Sequence, residues 1–254
     1  MSVRAKKKLG QHFLNDENIV NKIVSAILEL EAKKMIEIGP GMGILSKDLY
    51  QKDFNFSAIE IDSESVEYLA KNYPNMNVIS GDFLKLDAHK LFDEDTYIVG
   101  NFPYNISSQI FFKMLKHRDH VPGLVGMIQK EVAERIQEKA GTKTYGILSV
   151  LLQTFYDVEY LFTVNENAFT PPPKVKSAVI KLTRNNRKNL ECDEALYFRL
   201  IKESFGQRRK MLRASLRQHI GNITDCKFLT ERPEQLSVDD FIQLTLAVEK
   251  YQNK

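Results

Sequence analysis

The residues with the most chemical promise form one run, Gly100-Asn101-Phe102-Pro103-Tyr104-Asn105-Ile106-Ser107. It follows Tyr97-Ile98-Val99, an apolar stretch that reads as a buried strand, so the run leaves that strand at its carboxyl end. In an open α/β sheet, that edge is where ligands bind. The Asn101 amide oxygen is an acceptor for an exocyclic amine. Pro103 donates no backbone N–H, and the Phe102 carbonyl before it stays free to accept. Tyr104 adds a flat ring on which a base stacks. Two acceptors beside an aromatic plate suit a flipped-out adenine presenting its amino group. A plain Pro-Tyr turn leaving a strand has the same residues, so the rest of the chain must separate the two readings.

The elements that position this run alternate in kind. Asn15 or Asp16 can cap a helix carrying Ile19, Val20, Ile23, Val24 and Ile27 at helical spacing. Met35-Ile36-Glu37-Ile38 then runs into Gly39-Pro40-Gly41-Met42-Gly43, followed by Ile44, Leu45 and Leu49: strand, glycine turn, helix. A second strand over 54–61 ends in Glu60, with a helix over 63–71 behind it. A third over 77–80 is closed by Gly81-Asp82-Phe83. The fourth is the strand before Asn101, followed by a helix over 107–116, and 123–129 reads as a fifth. Helices over 132–138 and 145–154 precede strands over 157–164 and 174–182, which are expected to close the sheet as an antiparallel, hairpin-like edge. Strands alternating with helices at this spacing predict a mostly parallel sheet with helices on both faces. The pattern turns polar at Arg184-Asn185-Asn186-Arg187-Lys188-Asn189, which reads as a linker. Beyond it, 193–205, 208–219 and 237–251 are helical, with loops around Gly221 and Pro233. The expected division is an α/β domain with a basic N-terminal arm over 1–184 and a small helical domain over 185–254.

Composition sets the class. The 254 residues are 43% hydrophobic and 27% charged, as in an ordinary globular protein. No apolar run reaches membrane-spanning length and no leader pattern is present, which places the protein in the cytoplasm with no membrane partner. Cys192 and Cys226 lack metal spacing and are expected to stay reduced. The five histidines are scattered; His117 and His120 share a helical face at most, so no metal site is expected. A net charge of +3 is too small to argue for nucleic acid, but its distribution is informative. Arg4, Lys6, Lys7 and Lys8 make the first fifteen residues basic with no acid among them. Arg208, Arg209, Lys210, Arg213 and Arg217 fall within ten residues that also contain no acid. Such clusters match the phosphate footprint of nucleic-acid binders, although either one taken singly is more readily a solvated face. Arg209, Arg213 and Arg217, at four-residue spacing, are predicted to share one face of a helix, with Leu212 and Leu216 turned elsewhere.

The strand ends narrow the cofactor. The glycine turn is Gly-x-Gly-x-Gly, because Ile44 stands where a dinucleotide fold would want its last glycine. Glu60, about 20 residues past the turn, sits where an acid binds ribose hydroxyls. Asp82 is placed to accept from an adenine amino group, with Phe83 against the ring. Each carboxylate alone is equally a strand-end cap. Three consecutive strand ends that each offer an adenosine contact suit NAD or S-adenosylmethionine. The Asn-Phe-Pro-Tyr run favours a methyl donor beside an amine acceptor over hydride transfer.

Four motifs in this order resemble the ribosomal RNA adenine N6,N6-dimethyltransferases: Leu9-Gly10-Gln11-His12-Phe13-Leu14, Glu37-Ile38-Gly39-Pro40-Gly41, Asn101-Phe102-Pro103-Tyr104-Asn105-Ile106-Ser107 and Phe169-Thr170-Pro171-Pro172-Pro173-Lys174-Val175. The nearest pattern within the family is the bacterial KsgA type, which acts on two adjacent adenosines near the 3′ end of small-subunit rRNA. The resemblance spans essentially the whole chain, including Gln129-Lys130-Glu131-Val132. It implies a Rossmann-like S-adenosylmethionine-dependent methyltransferase domain followed by a small all-helical domain. It implies cofactor contacts from His12, Leu14, Gly39, Glu60, Asp82 and Asn101. It also implies that Tyr104 and Phe169 sandwich the target base, whereas the residues alone favour Phe169 as a core anchor of the proline loop. The catalytic set is then Asn101, Phe102, Pro103, Tyr104 and Phe169. The family often has Asn at His12 and Leu at Phe102. The basic face of Arg209, Arg213 and Arg217, with Lys6, Lys7 and Lys8, is expected to grip small-subunit rRNA, either bare or in an immature small subunit, the protein acting as a monomer. Three alternatives compete: a large-subunit methyltransferase of the macrolide-resistance type, a non-catalytic ribosome-assembly factor and an NAD oxidoreductase. The proline run and Asn105-Ile106-Ser107-Ser108 lean to the small-subunit type, the intact Glu60, Asp82 and 101–104 set argues against a mere binder, and Ile44 disfavours NAD.

Overall fold

The computed structural model describes residues 3–221 and 226–252. Contacts divide the chain into two units: residues up to Ala133 with Val158–Arg184, and Glu134–Asp157 with the residues from Asn185 onward. The expected border at 184/185 is one of the divisions. Residues 134–157, expected in the first domain, belong with the second.

The nine strands assigned among the described residues, all in the first unit except the first two residues of β7, run β1 Phe13–Leu14, β2 Lys34–Ile38, β3 Asn55–Glu60, β4 Val78–Ser80, β5 Thr96–Asn101, β6 Gly123–Gln129, β7 Tyr156–Val164, β8 Phe169–Thr170 and β9 Ser177–Arg184. Seven form one sheet in the order β4-β3-β2-β5-β6-β9-β7. β2 pairs parallel with β3 and β5, β3 with β4, and β5 with β6, whereas β9 runs antiparallel to β6 with Ser177 opposite Gln129. The antiparallel edge is therefore wider than a hairpin: β9 enters between β6 and the earlier strand β7. β1 and β8 form a separate two-stranded pair, Leu14 opposite Phe169.

Both faces of the central strands are buried, as a parallel sheet requires. Met35, Val99, Val125 and Val179 face a core filled by Val20, Ile23, Val24 and Ile27 of the helix Glu17–Leu28. Ile36, Ile98, Leu124 and Ile180, offset by one in each strand, are buried on the other face. Asp16 is the cap of that helix, its Oδ1 accepting from the N–H groups of Asn18 and Ile19. The chain leaves β2 for β3 and β4 on one side, then returns to β5 on the other. The carboxyl ends of β2 and β5 are thus the switch point, where such sheets bind ligands.

The second unit is helical. The helix Ile147–Phe155 is apolar almost all round, with seven of its nine residues buried. It ties to the helix Glu194–Gly206 through a hydrogen bond between the Thr154 and Tyr197 hydroxyls at 2.8 Å. That burial places 134–157 here, a partner that a contiguous reading of the chain does not reveal. The predicted helix over 208–219 is broken. After Gly206 the chain turns, and only Leu212–Ser215 and Arg217–Ile220 are helical. The Leu212 N–H is drawn to the Glu231 carbonyl at 2.8 Å, so tertiary pairing overrides the local period. Arg209, Arg213 and Arg217 consequently do not share one helical face. All three are exposed, and Leu212 and Leu216, expected to turn away from the arginines, are fully buried. The expected loop around Gly221 lies partly outside the described residues. Among the described residues, no helix is long and apolar enough to cross a membrane.

Candidate active site

The carboxyl ends of β2, β3 and β5, with the turn after β4, surround a cleft of about 390 Å³. The volume suits a nucleoside-sized ligand, since small-molecule sites span roughly 300–1,000 Å³. His12, Leu14, Gly39, Glu60, Asp82 and Asn101 all line it, together with Phe102, Pro103 and Tyr104. Nine of the residues singled out from sequence thus meet in one place.

The glycine turn is held from the next strand. The Gly41 N–H donates to Glu60 Oε2 at 3.0 Å, and the Asp62 N–H donates to Glu60 Oε1 at 2.8 Å. Gly41 has φ of +57°, and a Cβ there would lie 2.9 Å from the Phe13 ring, so both backbone and space require glycine. Burial raises the Glu60 pKa, and the two backbone N–H groups oppose that rise. Each of its oxygens keeps a further lone pair for a hydroxyl. Beneath the turn, Glu37 is 1% exposed and its Oε2 accepts from Ser46 Oγ at 2.6 Å. Burial lifts its pKa to about 7, with Ser46 pulling down and Glu60 pushing up.

Asp82 follows β4, and its Oδ1 accepts from the Leu84 N–H at 3.0 Å. The loop it opens is stitched to the helix Ser107–Lys116 by Lys113, whose ammonium donates to the Phe83 carbonyl at 2.5 Å and the Leu86 carbonyl at 2.8 Å. The same ammonium lies 4.8 Å from the Phe83 ring centre. Burial lowers the Lys113 pKa. Nothing in the sequence points to Lys113, because its partners are main-chain atoms far from it in the chain.

β5 runs on to Asn101, two residues past the expected strand end at Val99, so Asn101 is its last residue. The Asn101 Nδ2 donates to the His12 carbonyl at 3.0 Å, which leaves Oδ1 as the amide's acceptor. The Phe102 N–H is taken by the Met127 carbonyl at 3.0 Å, and its side chain is 1% exposed. Phe102 therefore offers the site its carbonyl, while its ring fills the space over Gly126, where a Cβ would sit 2.3 Å away. The Ile106 N–H closes a turn onto the Pro103 carbonyl at 3.1 Å.

Two sequence expectations need correction. Phe169 is 3% exposed and packed in the core with Leu14 and Val164, because β8 pairs with β1 so that both side chains turn inward. It stands as the core anchor of the proline loop and is not on the cleft wall beside Tyr104. Lys6 is not a free cation for phosphate: its ammonium is bound by Asp62 and by Glu64 at 2.9 Å, and Gln11 Nε2 donates to Asp62 at 3.2 Å. Burial works against the Asp62 carboxylate, but Lys6 and Gln11 outweigh it and its pKa falls. This pairing ties down the segment that leads into residues 9–14 of the cleft wall; Lys7 and Lys8 remain exposed. His12, whose contact with the cofactor is expected from the resemblance, lines the cleft; its Nδ1 lies 2.8 Å from the Pro171 carbonyl and its ring stacks on Tyr104.

The chain matches, over residues 2–251, the family described as Ribosomal RNA adenine dimethylase. A ribosomal RNA small subunit methyltransferase A of Flavobacterium johnsoniae is 54% identical over 254 residues, covering 97% of each chain. One from Parabacteroides distasonis is 51% identical, covering 99% of this chain and 97% of the other. Among solved structures, a dimethyladenosine transferase from Plasmodium falciparum has a TM-score of 0.79 at 27% identity, covering 95% of this chain and 98% of that one. The 23S rRNA methyltransferase ErmE has a TM-score of 0.64 at 25% identity, covering 92% and 99%.

Proposed function

This chain belongs to the ribosomal RNA adenine dimethylase family, and we propose that it dimethylates N6 of two adjacent adenosines near the 3′ end of small-subunit rRNA during subunit maturation. It is an S-adenosylmethionine-dependent rRNA adenine dimethyltransferase. The observation that carries the reading of the site is the Asn101–Tyr104 loop, set at the switch-point cleft beside the Glu60 carboxylate. The small subunit is favoured over the large by relatives of that name at about half identity over nearly the whole chain.

S-adenosylmethionine supplies an activated methyl group on a sulfonium, so the protein's task is to bind and orient. In this reading Glu60 receives the ribose hydroxyls, Asp82 the adenine amino group of the cofactor, and Gly39 with Leu14 the close backbone approach. The Asn101 Oδ1 and the Phe102 carbonyl accept the two hydrogens of the target amine, which takes the nitrogen lone pair out of conjugation and aims it at the methyl. Pro103, lacking an N–H, keeps a competing donor away from that acceptor pair. Tyr104 stacks on the base, worth about 1–3 kcal/mol on the scale of base–aromatic contacts. Lys7 and Lys8, and separately Arg209, Arg213 and Arg217, bind phosphates as exposed cations. The protein works in the cytoplasm as a monomer on a large RNA.

The test is transfer of labelled methyl from S-adenosylmethionine to unmethylated small and large subunits, followed by nucleoside analysis. N6,N6-dimethyladenosine in the small subunit alone is expected. Label in the large subunit alone would replace the small-subunit reading with the macrolide-resistance one. No transfer to either, with cofactor bound, would favour an assembly factor.

A further inference from the structure

Tyr104 is the aromatic plate of the acceptor loop, and two residues outside that loop hold it. Its hydroxyl lies 2.5 Å from Ser177 Oγ. Ser177 is fully buried at the first position of β9 and paired in register with Gln129. One face of the Tyr104 ring meets the His12 imidazole, with centroids 5.6 Å apart and planes 27° from parallel. His12 is itself fixed, by its Nδ1 at the Pro171 carbonyl, 2.8 Å away, and by its own carbonyl, which accepts from Asn101 at 3.0 Å. A tyrosine ring swings about two side-chain torsions, and an edge anchor combined with a face contact restrains both. Burial raises the Tyr104 pKa, so its hydroxyl stays protonated and remains a hydrogen-bonding group at neutral pH.

We propose that Ser177 is a positioning residue for methyl transfer: by holding the Tyr104 hydroxyl it fixes the plane of the plate, and His12, covering one face, leaves the other for the target adenine. This rests on the acceptor-loop reading given above. The anchor also explains why the plate is tyrosine: a phenylalanine would stack as well but would have nothing for Ser177 to hold. A loosened plate misplaces the amine relative to the methyl, and small misplacements of reacting groups lower turnover steeply.

The test is a double-mutant cycle in the full-length protein. Ser177→Ala and Tyr104→Phe each remove the same hydrogen bond while keeping the ring. Each is expected to lower kcat about tenfold, with S-adenosylmethionine affinity unchanged, and the double variant should lose no more than either single one. Ser177→Thr, which keeps the hydroxyl, should restore most of the rate. Losses that multiply to about a hundredfold in the double variant would overturn the proposal. A second readout needs no activity: 3-fluorotyrosine placed at position 104 should give one narrow ¹⁹F line in the RNA-free protein, broadened or shifted by Ser177→Ala. An unchanged line would also overturn it. A narrow line sensitive to Ser177→Ala, in a wild-type protein that transfers no methyl, would uphold the anchor and overturn the functional reading on which its catalytic role depends.

Discussion

Replacing Glu37 with glutamine tests the electrostatics beneath the glycine turn. The carboxyl is 1% exposed, accepts from Ser46 Oγ at 2.6 Å and has a pKa near 7. In the unfolded chain the same group has its ordinary pKa near 4.5. Between those values the unfolded state binds fewer protons than the native state, so stability from this group is full at low pH and falls as pH rises towards 7. Integrating the linkage between pH 5 and pH 8 gives a loss of about 2–3 kcal/mol. Glutamine keeps a hydrogen-bonding partner for Ser46 and has no proton to lose. The assay is urea unfolding of both proteins at pH 5 and pH 8. Glu37→Gln should gain about 2–3 kcal/mol on the wild type in going from pH 5 to pH 8, whatever its offset at pH 5. The same difference between variant and wild type at both pH values would mean that Glu37 is not a buried acid titrating near neutrality.

The remaining predictions concern the cleft and the exposed cations. Lys113→Met removes the donor to the Phe83 and Leu86 carbonyls; calorimetry should show S-adenosylmethionine binding weakened about tenfold, with RNA affinity unchanged. Gly126→Ala drives a methyl group into the Phe102 ring and should cost about 1–3 kcal/mol in urea unfolding. Adding Phe102→Leu to that variant should recover most of the loss, since the smaller side chain vacates the contact. Replacing Arg209, Arg213 and Arg217 together with alanine should weaken RNA binding at low salt and reduce the salt slope by about 2–3; an unchanged slope in a filter-binding titration would return them to a solvated surface.

Much of the site was legible because its chemistry sits at strand ends, and strand ends are marked by abrupt changes from apolar to functional residues. Glu60, Asp82 and Asn101 were placed in this way, and the structure brings all three to one cleft. What stayed hidden depends on partners distant in the chain. Lys113 looks like any basic residue late in an amphipathic helix until the carbonyls of Phe83 and Leu86 come within its reach. Ser177 reads as a strand residue until Tyr104 is beside it. Lys6 counts as a free charge in the sequence, and only the fold supplies Asp62 and Glu64 to neutralise it. Phe169 illustrates the reverse case: residue chemistry alone favoured a core anchor, and its pairing opposite Leu14 buries it as one. The helix over 208–219 failed because spacing of arginines and leucines carries no information about Glu231, whose carbonyl draws the Leu212 N–H.

The most direct measurement of the account is made on Asn101→Ala, comparing single-turnover methyl transfer with the equilibrium affinity for S-adenosylmethionine. The acceptor pair predicts a rate lower by about 10²–10³, the scale of losing one preorganised hydrogen-bonding group at the reacting centre, with cofactor affinity changed only slightly. Equal losses in rate and in cofactor affinity would contradict it, and Asn101 would then be a cofactor-binding residue rather than the group that orients the target amine.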